Sequence, residues 1–217
     1  MSSAPGLLSE VAFGALLQYS PRGLSEVSVR SRKWCYAVKN DEPGQIRRAV
    51  ERMASSRSAQ GAGLLELFGR DVVLVPAPRS APLRAGALWP AQRICEELVR
   101  FGLGAEIIAC VRRARAVQKS AFVQSGERPT PEVHLRSMEL DAGLVTSRRF
   151  VVVDDVVTKG STLLAVASLL RSKHPDVEVA AFAMVRAMGL VPEVDSILSP
   201  CVGTIRLTAG GTAWRAP

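Results

Sequence analysis

Residues 150–162 restrict the fold more than any other part of the chain: Phe150-Val151-Val152-Val153-Asp154-Asp155-Val156-Val157-Thr158-Lys159-Gly160-Ser161-Thr162. The continuous apolar run 150–153 reads as a strand buried on both faces. It ends in two adjacent carboxylates, followed by a short turn with hydroxyl groups and a glycine. Beyond the turn, Leu163, Val166, Ala167 and Leu170 recur at i, i+3, i+4 and i+7, the spacing of an amphipathic helix. A strand, polar loop and helix in that order present free backbone N–H groups at a helix N-terminus, where the dipole favours an anion. Thr158, Ser161 and Thr162 add hydroxyl donors, Lys159 adds positive charge, and Gly160 permits close backbone approach. The loop suits a phosphate. The carboxylates would repel that phosphate and suit hydroxyl groups or a metal ion beside it. A phosphate next to a diol is a sugar phosphate. An ordinary buried strand with a capped helix is the bland alternative, but it leaves two ionised carboxylates at a strand end without partners, which is costly.

Further segments alternate in the same manner. Residues 71–75 read as a second buried strand leading into Pro76-Ala77-Pro78-Arg79-Ser80, a helix is expected over 89–101, a third strand over 105–110, and another over 177–185. Strands alternating with helices imply an α/β fold, a parallel sheet flanked by helices with right-handed crossovers. Ligands in such sheets bind at the carboxyl ends of the strands, which puts the loops after Val75, Cys110 and Val153 along one edge. Residues 111–136 are rich in Arg, Gln and Ser and are broken by Gly126, Pro129 and Pro131, so they read as a mobile excursion outside the core. The division expected is an N-terminal helical appendage or hood over 1–69 and a core over 70–217. In the appendage, Leu7, Leu8, Val11, Ala12, Ala15 and Leu16 are spaced as a helix over 6–17. Val27, Val29, Trp34, Tyr36 and Val38 alternate as a strand would over 27–38. Asp41-Glu42-Pro43 resembles a helix start, and 55–63 reads as a surface loop. The tail holds apolar segments at 194–198 and 202–207.

Hydrophobic residues make up 47% of the 217, which excludes a disordered chain, and no apolar run is long enough to span a bilayer. The N-terminus lacks the basic-then-apolar pattern of a secretory signal, so a cytoplasmic protein is expected. Cys35, Cys95, Cys110 and Cys201 are scattered, indicating neither a zinc site nor a disulfide framework. The formal charge of +8 fits a phosphorylated substrate, a nucleic-acid surface or plain solubility.

The stretch 150–162 resembles the phosphoribosyl diphosphate (PRPP) motif of type I phosphoribosyltransferases: an apolar strand, two acids, two apolar residues, then Thr-x-Gly-x-Thr. The resemblance implies that Asp154 and Asp155 hold the ribose hydroxyls and that Thr158, Lys159, Gly160, Ser161 and Thr162 cradle the 5-phosphate. It implies that the loop after Val75 binds diphosphate through Pro78 and Arg79, with Arg84 behind them. It also implies that 111–136 closes over the substrate, bringing Arg112, Arg113, Arg115 and Lys119 to the diphosphate. Leu74-Val75-Pro76-Ala77-Pro78 together with Arg112, Arg113, Arg115, Gln118 and Arg128 is similar to the ComF-like branch. The chain departs from that branch in lacking its cysteine-rich zinc module. Gly86-Ala87-Leu88-Trp89-Pro90 also stands where the branch carries Arg-Gly-Phe-Asn-Gln.

The activity implied is displacement of diphosphate from the anomeric carbon of PRPP by a nucleobase-like acceptor that the sequence does not name. Mg²⁺ is the implied cofactor, reached by Asp154 and Asp155 indirectly, through ribose hydroxyls or water. Hypoxanthine and guanine enzymes of the family carry an Asp where this chain has Thr158, so those acceptors are not expected. Trp34, Tyr36 and Trp89 are candidates to stack on a base, against a bland reading as core. The other expectations are a homodimer and, as the alternative function, a non-catalytic descendant that senses PRPP or a nucleotide and acts through nucleic acid or a partner protein.

Overall fold

The computed structural model describes residues 6–56, 58–117, 129–141, 148–189 and 191–217. In chain order its elements are β1 (Glu10–Tyr19), α1 (Glu26–Lys39), α2 (Pro43–Ala54), α3 (Ala59–Leu65), β2 (Val72–Pro76), α4 (Pro90–Arg100), β3 (Glu106–Ile107), β4 (Val111–Arg113), α5 (Pro131–Arg136), β5 (Met138–Leu140), β6 (Arg149–Val157), α6 (Ser161–Lys173), β7 (Glu178–Ala187), β8 (Leu198–Leu207) and β9 (Ala213–Ala216). A seven-stranded sheet has the order β3-β2-β6-β7-β1-β8-β9, and β4 and β5 form a separate two-stranded ribbon. The pairs from β3 to β1 are parallel, while β8 and β9 add antiparallel strands on one side.

Helices cover both faces, as a parallel sheet requires. On one face, Cys35, Val38, Ile46, Met53, Leu64, Ile94 and Leu98 from α1 to α4 pack against Val151, Val153, Phe182 and Met184. On the other, Leu163, Leu164, Val166 and Leu170 of α6, with Leu135 and Met138, pack against Phe150, Val152, Ala181 and Ala183. The run 150–153 is therefore apolar on both sides because both sides are covered, and the α/β class expected from it is the one observed.

The N-terminal third differs from expectation. Residues 10–19 form a strand between β7 and β8 where a helix over 6–17 was expected. Burial on both faces removes alternation from β1, so its apolar residues fall at helical spacings without being helical. Gly14 belongs to this strand because a Cβ there would lie 2.5 Å from Leu64 Cδ1. Residues 26–39 form a helix where alternation suggested a strand over 27–38. The buried stripe of α1 is Ser28, Ser31, Cys35 and Val38, at helical spacing but with serines in its first half, whereas Val29 and Tyr36 of the apparent alternation are exposed. Ser25 caps α1 by accepting the Ser28 N–H. β1 lies inside the main sheet, and α1 to α3 form part of one covering layer.

Smaller corrections follow from the same packing. The surface loop expected over 55–63 contains the start of α3, capped by Ser58. The strand expected over 105–110 pairs with β2 only at Glu106 and Ile107. In the excursion 111–136, β4 and α5 are ordered, and Val111 and Leu135 belong to the core; residues 118–128 lie outside the described residues.

Candidate functional site

The ladder between β2 and β6 stops at Pro76 and Val153, while β6 continues beside β7 to Val157. Asp154 and Asp155 occupy the overhang. Each carboxylate uses one oxygen locally: Asp154 Oδ1 accepts the Asp155 N–H at 2.9 Å and Asp155 Oδ1 accepts the Val156 N–H at 2.8 Å. Both side chains are half-buried. Strand alternation sends them to opposite faces. Burial, followed by the charge of Asp155, pushes the Asp154 carboxyl well above the usual carboxylate range, and the charge of Arg113 opposes the shift. Asp155 instead lies near Cys35, whose thiol is pushed up to about 11, chiefly by burial. That thiol is inert, not a nucleophile.

The loop after β6 enters α6 through Gly160, which has φ 92° and serves as the helix N-cap. No side chain caps α6, so the N–H groups of its first turn are open to a ligand. Gly160 packs on Ile205, where a Cβ would lie 2.6 Å from Cδ1. Thr158, Ser161 and Thr162 are half-buried around this turn, and Lys159 is exposed.

The loop after β2 lies beside this overhang because β2 pairs with β6. Ala77 donates its N–H to Val153 O at 2.8 Å and accepts Trp89 Nε1–H at 2.9 Å. Trp89 is thereby tied to the loop through the edge of its indole and is half-buried. Pro78 is buried and Arg79 and Arg84 are exposed. The Arg79 carbonyl accepts Arg113 Nε–H at 2.8 Å, and the Ser80 carbonyl accepts the Val117 N–H at 2.7 Å.

The basic residues expected to act together are divided. Arg112 pairs with Glu139 and Asp141 on the exposed side of the β4–β5 ribbon. Arg113 points the other way and is only 4% exposed; its Nη1 donates to Ser137 Oγ at 2.5 Å. Burial lowers its pKa to about 10, opposed by the nearby Asp154. Arg115 is exposed, and Lys119, with Gln118, Gln124 and Arg128, lies outside the described residues. Thus 154–155 and 158–162 come together on one edge with Pro78 and Arg79 alongside and Arg113 beneath, while Arg112 faces elsewhere.

Several residues at this edge carried no sequence signal. Glu193, in the connection after β7, accepts Leu24 N–H at 2.6 Å and the hydroxyls of Ser25 at 2.6 Å and Ser28 at 2.7 Å, which draws its pKa down to about 2. It ties that connection to the start of α1. Arg186 Nη2 donates to Gln18 Oε1 at 3.2 Å and Ser199 Oγ at 2.9 Å, while its buried Nε has no partner. Arg215 donates from Nε to Thr158 O at 3.1 Å and from Nη2 to Ala187 O at 3.0 Å. These are isolated polar residues whose partners are remote in the chain, so neither spacing nor composition distinguishes them.

Trp34 and Tyr36 line an open groove of about 580 Å³ between α1 and the start of α2, together with Arg32, Lys33, Glu42 and Gln45. None of the expected site residues lines it. Among the described residues no group of three or more His, Cys, Asp or Glu side chains is placed to hold a metal ion. The oxygen donors of Asp154 and Asp155 suit Mg²⁺ only as a small part of a shell supplied mainly by phosphate and water.

The strand-end carboxylate pair and the uncapped helix after it sit in an α/β protein, where the loops after β2 and β6 share the edge at which open sheets of this class bind ligands. The chain belongs to the phosphoribosyl transferase domain family, which it matches over residues 42–200, from the N-cap of α2 into β8. The class of chemistry is phosphoribosyl transfer. No match is found among curated proteins. Among the described residues no helix is long and apolar enough to cross a membrane.

Proposed function

We propose that the chain binds PRPP with Mg²⁺ and transfers its phosphoribosyl group to a nucleobase-like acceptor, releasing diphosphate. The observation that carries this reading is the overhang of β6: paired carboxylates for a diol directly precede a glycine-started, uncapped helix N-terminus for a phosphate. Asp154 and Asp155 accept hydrogen bonds from the ribose hydroxyls, and the turn 158–162 receives the 5-phosphate. The loop with Pro78 and Arg79 receives diphosphate, with Arg84 further along it.

The C1–O bond to diphosphate breaks as the C1–N bond to the acceptor forms, with inversion at C1, and the acceptor nitrogen gives up its proton. The developing positive charge at C1 lies near the carboxyl groups of Asp154 and Asp155, and the chain's main contribution is orientation and electrostatic stabilisation. Mg²⁺, when bound, screens the negative charge of the departing diphosphate. Asp154 and Asp155 would hold it indirectly. Hydroxyl donors and a cation also favour the ionised state of Asp154, against its raised pKa. The Leu74-to-Pro78 segment and the arginines beginning at Arg112 support placement in the ComF-like branch.

A second reading, a PRPP-binding regulator without turnover, is favoured by the inward and sideways use of Arg113 and Arg112, which leaves fewer cations for diphosphate. The test is diphosphate release from PRPP and Mg²⁺ with a panel of nucleobases. Release dependent on one base supports transfer. Binding without release under every base supports the regulator, and absence of PRPP binding contradicts both.

A further inference from the structure

We propose that the β8–β9 hairpin fixes the phosphate loop, with Arg215 and Ile205 as positioning residues for the sugar-phosphate subsite. The proposal rests on the functional reading above and adds a part of the chain that lies beyond the family match.

Ile205 and Arg215 are direct cross-strand partners on β8 and β9. Such partners share a face of the sheet, and here both meet the loop after β6. Ile205 packs beneath Gly160, with no room for a Cβ between them. Arg215 reaches the next element of the same turn, holding Thr158 O at 3.1 Å and, with its other arm, Ala187 O at the end of β7 at 3.0 Å. Its guanidinium is also 5.7 Å from the centroid of the Phe13 ring on β1. One planar fork from β9 thereby joins the ends of the neighbouring strands β6 and β7, a task a flexible ammonium group cannot perform with the same geometry.

Holding the Thr158 carbonyl has a direct consequence for the ligand side. In a planar trans peptide the C=O of Thr158 and the N–H of Lys159 point in opposite directions. Tying that carbonyl to the hairpin therefore turns the Lys159 N–H away from it, while the left-handed Gly160 turns the chain into α6. The orientation of the anion-binding amides is set from behind by Arg215 and from below by Ile205. Arg215 donates to the oxygens of Thr158, Ala187 and Pro217, and Arg186 to Gln18 and Ser199.

The test compares wild type with Arg215→Met, Arg215→Lys and Ile205→Val. Ribose 5-phosphate and inorganic diphosphate are titrated separately by calorimetry, and amide exchange is followed in the ligand-free proteins. Arg215→Met should weaken ribose 5-phosphate about tenfold, the scale of losing a charge-assisted hydrogen bond, and leave diphosphate affinity unchanged. Arg215→Lys should recover part of the loss, and Ile205→Val should shift affinity in the same direction by less. Exchange at Lys159 and Gly160 should quicken in Arg215→Met without ligand. Unchanged ribose 5-phosphate affinity, or an equal loss for both ligands, overturns the positioning role. Failure of wild type to bind ribose 5-phosphate overturns the functional reading; the brace itself then stands or falls on the exchange rates, and unchanged exchange overturns it.

Discussion

Arg113 Nε donates to the carbonyl oxygen of Arg79 at 2.8 Å, joining β4 to the loop after β2 across 34 residues of chain. The same buried guanidinium is the positive charge that opposes the raised pKa of Asp154. One side chain thus shapes the loop expected to hold diphosphate and tunes a carboxylate expected to hold ribose.

Substituting Arg113 and Arg112 should therefore give unlike results. Arg113→Met removes the charge that favours ionised Asp154, so its carboxyl should hold a proton to still higher pH. PRPP affinity should then rise with pH later than in wild type in calorimetric titrations between about pH 5 and 8. Arg112→Ala loses only exposed ion pairs with Glu139 and Asp141, and stability should change by less than about 1 kcal/mol. A shift of the binding profile by Arg112→Ala, and none by Arg113→Met, would reverse these assignments.

Asp154→Asn should stabilise the ligand-free protein at neutral pH. The folded-state pKa is raised above the ordinary 3.8. The stabilisation from the protonated form is therefore fully present in acid and is lost as pH rises toward the folded value. Asn keeps an acceptor for the Asp155 N–H and carries no charge. Thermal melts should show a higher midpoint for the variant near neutrality, with about 2–4 °C for each kcal/mol gained. The gap should close as pH falls through the carboxylate range; a lower midpoint at neutral pH would refute the burial argument.

His134 gives the opposite slope. Burial, and then the charge of Arg113, lowers its pKa from 6.5 to about 4. The unfolded chain binds the proton more readily, so this residue's contribution to stability is present above pH 6.5 and is lost as pH falls toward 4, at a limiting ~1.4 kcal/mol per pH unit. Chemical denaturation of wild type and His134→Gln across that window should show the extra acid loss in wild type alone. Parallel curves would mean that His134 titrates normally.

The legible part of the molecule was the part whose signal is local. β6 and the start of α6 could be read because a doubly covered strand must be apolar and a phosphate turn needs glycine and hydroxyl groups in sequence. β1 is buried on both faces as well, but without flanking chemistry its apolar spacing imitated a helix. α1 was hidden because serines fill its buried stripe, where Ser28 accepts the Val194 N–H and donates to Glu193. The adjacent Arg112 and Arg113 could not be separated until β4 was known to be a strand, which sends neighbours to opposite sides. Arg215 was illegible because its role depends on Thr158 and Ala187, remote in the chain.

Gly160→Ala should damage the site more than an exposed glycine substitution would. The new Cβ meets Ile205, and φ 92° is strained for an L-residue. A loss of roughly 1–3 kcal/mol is the scale for such strain. Ribose 5-phosphate affinity should fall together with the melting midpoint; a variant unchanged in both would show that the turn relaxes freely.

The central claim is that the overhang of β6 holds the sugar of PRPP. Calorimetric titration of PRPP and Mg²⁺ into wild type and into the Asp154→Asn, Asp155→Asn double variant tests it most directly. Wild type should bind, and the double variant, losing hydrogen bonds to charged acceptors worth roughly 1.5–3 kcal/mol each, should bind about tenfold or more weakly while melting cooperatively. Equal affinity in the two proteins would contradict the account.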